Sequence, residues 1–296
     1  MLGSKTFEAW TAETLNAFER ALDDLVPAAA PAGLGEAMRY AVLGGGKRLR
    51  PLLVLATSET VSGNALAAMR SACAVELIHA YSLVHDDMPC MDDDVLRRGK
   101  PTTHVQFGEA QAMLAGDAMQ ALAFEVLTPD DGIPPALQAR LCALLARAAG
   151  HAGMAGGQAI DLASIGKKLD EATLRDMHRR KTGLLLQASV MMGAACGQCG
   201  EQALRQLEIY GAAIGLAFQV VDDILDVTQD SAVLGKTAGK DQDANKPTYV
   251  SVLGLEPARH LADELCAEAK AALAASGLAD TRLLELLADS VVERDS

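Results

Sequence analysis

ELIHAYSLVHDDMPCMD, residues 76–92, is an apolar run that ends in carboxylates. Its lead-in reads as a buried helix, so Asp86, Asp87 and Asp92 stand at the end of a greasy wall. His79, Ser82 and Asp86 are spaced i, i+3, i+7, which places them on one helical stripe. Asp86 and Asp92 are six apart and would lie on different faces of an unbroken helix. Pro89 between them removes a backbone donor and clashes one turn back, which predicts a bend or a helix end that swings Asp92 toward Asp86. GLAFQVVDDILDV, residues 215–227, repeats the device: Asp222 and Asp226 are i and i+4 on one face, and Asp223 lies about 100° away. Carboxylates crowded in this way need a cation, and oxygen donors select hard divalent ones.

Basic residues gather around both clusters. Lys47, Arg48 and Arg50 follow the glycines 44–46, in a loop whose exposed amides and cations can hold a diphosphate. The GxxxxGK[ST] spacing of a Walker A loop is absent there. Arg97 and Arg98 follow the first cluster, Lys181 and Thr182 precede an uncharged stretch, and Lys236, Lys240 and Lys246 follow the second cluster. A metal site alone does not need these cations. Metal and cations together point to phosphate.

Composition narrows the class. Half of the 296 residues are hydrophobic, only 3% are aromatic, and Ala, Leu, Val and Met dominate, which favours helix over sheet. A net charge of −13 argues against a nucleic-acid partner, whose phosphates call for a basic surface. Six cysteines are scattered along the chain, and Met1 to Trp10 lacks the basic start and apolar run of a signal peptide, so a cytoplasmic protein with reduced thiols is expected. Cys196 and Cys199 form a CxxC without the strand-then-helix context of a redox motif and read as small residues near a helix end. Residues 182–200 carry no charge, but Gln187, Ser189 and Gln198 among them mark a central bundle helix and not a membrane span.

Helical segments are expected at about 8–26, 64–87, 106–127, 136–150, 174–192, 202–227 and 258–275, joined by short loops. No strand alternation and no linker interrupt them. The expectation is an all-α chain, a single domain over residues 1–296 built as a large helical bundle around a central cavity.

Beyond this, the chain resembles the trans-isoprenyl diphosphate synthases, most of all the bacterial short-chain farnesyl type. The markers are GGGKRLRP (44–51), ELIHAYSLVHDDMPCMDDDVLRRGKPTTH (76–104), GDA (116–118), GGQAIDL (156–162), KTG (181–183), GLAFQVVDDILDV (215–227) and GKTAGKDQDANKPTYV (235–250). The resemblance implies condensation of isopentenyl diphosphate with dimethylallyl and then geranyl diphosphate to give farnesyl diphosphate. It implies Mg2+, or Mn2+, at Asp86, Asp92 and Asp222, with Asp87, Asp223 and Asp226 as further ligands or their supports. Arg97, Lys181 and Lys236 would grip the allylic diphosphate, and Lys246 would help close a loop over it. Lys47, Arg50, His79 and Arg98 would hold isopentenyl diphosphate. Thr182 and Gln219 would offer oxygens near the developing allylic cation. Tyr81, with Ser82 beside it, would set chain length, and an aromatic there matches a fifteen-carbon product. A homodimer is implied. His85 receives no role and reads as packing or as a support behind the metal ligands. The alternatives are a geranylgeranyl or geranyl diphosphate synthase and, more remotely, a terpene cyclase, which would not require the second anion site.

Overall fold

Asn64 starts the helix that carries the first carboxylate cluster: its side chain accepts from the Ala67 amide, one of the donors a helix start leaves unpaired. The computed structural model describes residues 4–167, 169–228 and 247–294, with the side chains of residues 4 and 5 excepted. Its helices are α1 (Ser4–Leu25), α2 (Leu34–Val42), α3 (Leu49–Thr60), α4 (Ala65–Asp86), α5 (Thr103–Phe107), α6 (Glu109–Glu125), α7 (Pro135–Ala149), α8 (Met154–Ser164) and α9 (Glu171–His178). A π-helical turn, Arg179–Gly183, joins α9 to α10 (Leu184–Ala195). There follow α11 (Glu201–Thr228), α12 (Tyr249–Leu253), α13 (Leu255–Ala275) and α14 (Arg282–Val292). The fold is all-α, as the composition requires.

Two apolar clusters organise the bundle. One gathers Phe18, Leu77, Met119 and Leu141 from α1, α4, α6 and α7. The other gathers Leu53, Leu186, Tyr210, Leu265 and Leu284 from α3, α10, α11, α13 and α14. Helices α4, α3, α10 and α11 pack in succession between them, so both carboxylate-bearing helices are central. Among the described residues no helix is long and apolar enough to cross a membrane.

Three expectations need correction. The segment 106–127 is two helices, broken at Gly108, whose φ of 86° lies outside the helical range for an L residue. The segment 174–192 is interrupted by the π turn. Among the described residues one short antiparallel pair occurs, β1 (Leu96–Arg97) with β2 (Lys100–Pro101), turning through Arg98 and Gly99, both at positive φ. The CxxC expectation fits: all six cysteines are free and Cys196 caps the end of α10.

Candidate active site

Helix α4 stops at Asp86, and the chain folds back immediately. The Asp92 amide donates to the Asp86 carbonyl at 2.9 Å and the Asp94 amide to the Asp87 carbonyl at 3.1 Å. Pro89 therefore stands in the turn after the helix and does not kink it, and the return still brings Asp92 beside Asp86. Across from them lies α11. Its approach to the π turn depends on Gly215, where a Cβ would sit 2.8 Å from the Gly183 Cα. Helix α8 meets the same turn at Gly157, where a Cβ would sit 2.2 Å from the Lys181 amide nitrogen. Both contacts are with backbone, so neither position tolerates a side chain without a shift. They bring Lys181 and Thr182 against Gln219, Asp222 and Asp223.

The result is a cavity of about 340 Å3 lined by Asp86, Asp92, Asp222, Arg98, Lys181 and His79, among others. A second cavity of about 380 Å3 shares Asp86, His79, Lys181 and Thr182 with it and continues along α4 past Ser82 and Tyr81. The first is walled by charge. The second is walled mainly by carbon, with Met91, Met154 and Leu162 on its sides.

The carboxylates differ in environment. Burial pushes the Asp86 carboxyl up to about 6, with Lys181 pulling against it and Asp92 adding to it. Asp222 meets Arg294, whose Nη2 donates to Oδ1 at 2.6 Å. Asp87 is buried and gripped by Arg97 through Nε and Nη2, at 2.6–3.0 Å, and it does not line the cavity. Asp223 is buried too: Oδ1 accepts from Gln219 Nε2 and Oδ2 from the Tyr249 amide, each at 2.8 Å. Asp226 is buried behind it, on the same face of α11 as Asp222. Among the described residues, no three acidic, histidine or cysteine side chains converge into a ready-made metal cage.

Thr182, Gln219 and Asp223 form a chain. The Thr182 hydroxyl donates to Gln219 Oε1 at 2.7 Å, and the Gln219 amide nitrogen passes on to Asp223. The direction fixes the amide orientation, since a carboxylate only accepts. Lys181 Nζ pairs with Asp161 Oδ2 at 2.5 Å.

On the other side stand the cations of the glycine loop. Arg98 Nη1 donates to the Gly45 carbonyl, and Lys47 lies exposed in the same loop. Arg50 is buried over the Phe218 ring, and among the described residues nothing accepts from its Nε. Burial, reinforced by Arg50, Arg98, Arg97 and Arg48, holds His79 well below its ordinary value, so it is a neutral imidazole among guanidiniums. Partial desolvation also lowers Lys47, with the Arg294 charge adding to it and Asp222 opposing it. Arg48 is a correction. Its side chain turns inward, donating to Glu19, to Glu76 and to the Val42 carbonyl, and does not reach the cavity. Lys236, Lys240 and Lys246 lie outside the described residues.

Sequence reasoning missed Asp161, the Glu76–Arg48 pair and Arg294. Asp161 lies in GGQAIDL, a motif that carried a signal without a role. Arg294 stands near the chain end with no motif around it, yet it stacks on Phe218 at 4.2 Å while holding Asp222.

Known proteins share this arrangement's framework. The profile of the polyprenyl synthetase family matches residues 31–276. The farnesyl diphosphate synthase of Escherichia coli (strain K12) is 52% identical over 267 residues, 88% of this chain and 89% of that protein. The large subunit 1 of a chloroplastic heterodimeric geranylgeranyl pyrophosphate synthase of Arabidopsis thaliana is 49% identical over 257 residues, 85% of this chain and 69% of that protein. An FPP/GFPP synthase of Zymomonas mobilis superposes with a TM-score of 0.87 at 40% identity, covering 98% of this chain and 100% of that one. A geranyltransferase of Helicobacter pylori, solved with magnesium and isoprenyl diphosphate, superposes with a TM-score of 0.83 at 34% identity, covering 96% of this chain and 95% of that one.

Proposed function

Because the chain belongs to the polyprenyl synthetase family, and is thus a prenyltransferase, we propose that it makes (2E,6E)-farnesyl diphosphate. It joins isopentenyl diphosphate first to dimethylallyl and then to geranyl diphosphate. In each round the allylic C–O bond breaks, diphosphate departs, a C–C bond forms to the double bond of isopentenyl diphosphate, and a proton is lost. Its relatives include both farnesyl and geranylgeranyl synthases, so product length is the open variable. The observation that carries the farnesyl reading is Tyr81. It is only 9% exposed and lines the apolar cavity that opens at Asp86. It lies five residues before Asp86, about 7.5 Å deeper at a rise of about 1.5 Å per residue. A tail anchored by its diphosphate at Asp86 runs down onto this ring.

The donor set suits a hard cation. Asp86, Asp92 and Asp222 offer only oxygens around one cavity. Mg2+ needs no all-protein cage, because it binds through a few carboxylates and completes its shell with water and phosphate oxygens. Held by these three carboxylates, Mg2+, or Mn2+, would supply positive charge against the departing diphosphate. Asp87 and Asp223 then act as supports: one fixes Arg97, and the other fixes Gln219 and the start of α12. Asp226 backs Asp222 from one helical turn further along α11. Lys181 and Arg97 hold the allylic diphosphate, with Lys236 and Lys246 assigned to the same end. Lys47, Arg50, His79 and Arg98 hold isopentenyl diphosphate, and the unanswered Arg50 Nε supports an anion there. The Thr182 hydroxyl, oriented by Gln219, keeps its lone pairs for the cationic carbon. The molecule acts as a cytoplasmic homodimer; the exposed Val105, Met113 and Leu114 of α5 and α6 support a partner surface.

Two outcomes test this reading. Tyr81→Ala removes the floor, so the main product should lengthen from fifteen to twenty or more carbons by chromatography of the dephosphorylated alcohols. A folded variant that still stops at fifteen would remove Tyr81 from the account. Arg98→Ala should raise KM for isopentenyl diphosphate, and Arg97→Ala KM for the allylic partner. Each should change about 10–100-fold, the worth of a hydrogen bond to a charged group. Steady-state kinetics with one substrate varied at a time separates them, and equal shifts in one constant would contradict the division.

A further inference from the structure

Position 116 carries no side chain, and the His85 ring fills the space one would take. A Cβ built there would lie 2.1 Å from His85 Nε2, 2.6 Å from Cδ2 and 2.7 Å from Cε1. Atoms of this kind rest at about 3.5–4.0 Å, so any side chain at 116 displaces the ring. Gly116 is buried in the middle of α6, where glycine costs about 1 kcal/mol relative to alanine. Helix stability alone would favour alanine. The seat also has a polar latch: His85 Nε2 lies 3.1 Å from the Met113 carbonyl. A carbonyl only accepts, so Nε2 carries the proton.

The seated ring faces the apolar cavity. His85 and Tyr81 are i and i+4 on α4 and both line it. Their rings meet edge to face, 5.8 Å apart at 75°. One turn beyond Gly116, Gln120 Nε2 reaches the Tyr81 hydroxyl at 3.5 Å. Helix α6 thus braces both rings, one through a missing side chain and one through an amide.

We propose that Gly116 and His85 are specificity-determining positions: the bare α6 backbone at 116 seats the His85 ring, and the ring sets the width of the cavity and the placement of Tyr81. This rests on the reading of that cavity as the place of the growing tail. A side chain at 116 meets the His85 ring with the α6 backbone behind it, so the ring moves into the cavity and against Tyr81. Removal of the ring leaves Tyr81 without its edge contact and widens the cavity.

The test is product and primer selectivity in wild type, Gly116→Ala, His85→Ala and the double variant, each with folding verified by thermal unfolding. Gly116→Ala is expected to shorten the product. The ratio of kcat/KM for geranyl over dimethylallyl diphosphate should fall about tenfold, the scale of a lost fit for part of an apolar group. His85→Ala is expected to lengthen the product. The double variant should not show the shortening, because no ring is there to be pushed. A role confined to packing would lower thermal stability and leave the primer ratio where it was. An unchanged ratio in folded His85→Ala overturns the proposal even if Gly116→Ala fails to fold. A double variant as short as Gly116→Ala also overturns it. Wild type inactive with every primer would overturn the proposed function itself; wild type active with variants unchanged overturns this inference alone.

Discussion

Asp86→Asn should lower kcat by about 10²–10³-fold, the scale seen when one preorganised electrostatic contact to a developing charge is lost. The change keeps the shape of the side chain and removes its charge. Asp86 sits where three requirements meet. It ends α4, it lines the charged cavity, and it lines the apolar one. Its carboxyl, pushed up to about 6 by desolvation, is a charge that the protein alone stabilises poorly, so a bound cation has much to gain there. The loss should fall on kcat, because the charge on the departing diphosphate develops mainly in the transition state. Asp222→Asn should act in the same direction from the opposite wall. It would also release Arg294 from its ion pair. Thermal unfolding beside the kinetics separates a lost function from a lost fold. Near-normal turnover of both folded variants in magnesium would contradict the two-cluster account.

Arg48→Met should destabilise the fold by about 3–5 kcal/mol, the usual consequence of stranding one member of a buried ion pair. Arg48 is 4% exposed and Glu76 3%, and their contact is 2.6 Å. Glu76 is held in the middle of α4, so without the guanidinium its carboxylate loses its ion pair and has little water in its place. The Arg48 backbone is at φ 49°, an unusual conformation for a side-chain-bearing residue. The ion pair holds that turn, and the turn aims Lys47 and Arg50 in their separate directions. Denaturant unfolding measures the loss. The double change Arg48→Met with Glu76→Gln should recover part of it, because the stranded charge is then gone. A single variant within about 1 kcal/mol of wild type would mean that water reaches Glu76 after all.

These cases mark what could be read from the sequence. The helix behind Asp86, the return of Asp92 and the shared face of Asp222 and Asp226 follow from periodicity and one proline, and all are local. Arg48 is the counterexample. In GGGKRLRP it stands between Lys47 and Arg50 and carries the same charge, yet it serves a partner on another helix. Nothing local distinguishes an arginine that faces substrate from one that faces Glu76. The π turn at Arg179–Gly183 was illegible for a related reason. It is the place where α8 and α11 approach closely at Gly157 and Gly215, and the sequence shows those glycines without their neighbours. Arg294 reaches Asp222 from 72 residues away. The sequence leaves open whether Asp87 and Asp223 are further ligands beside Asp86 and Asp222 or their supports. Their burial and their partners, Arg97 for one and Gln219 with Tyr249 for the other, set them apart, and a pair of adjacent aspartates does not encode which one turns inward.

The most direct test of the farnesyl reading is the product made by the wild-type protein from labelled isopentenyl diphosphate in magnesium, with dimethylallyl, geranyl or farnesyl diphosphate as the sole primer. The account predicts label in a fifteen-carbon chain from the first two primers and almost none from the third, because Tyr81 stops the tail. Efficient extension of farnesyl diphosphate to twenty carbons would contradict the floor. Release of hydrocarbon from farnesyl diphosphate without isopentenyl diphosphate would contradict the reaction itself.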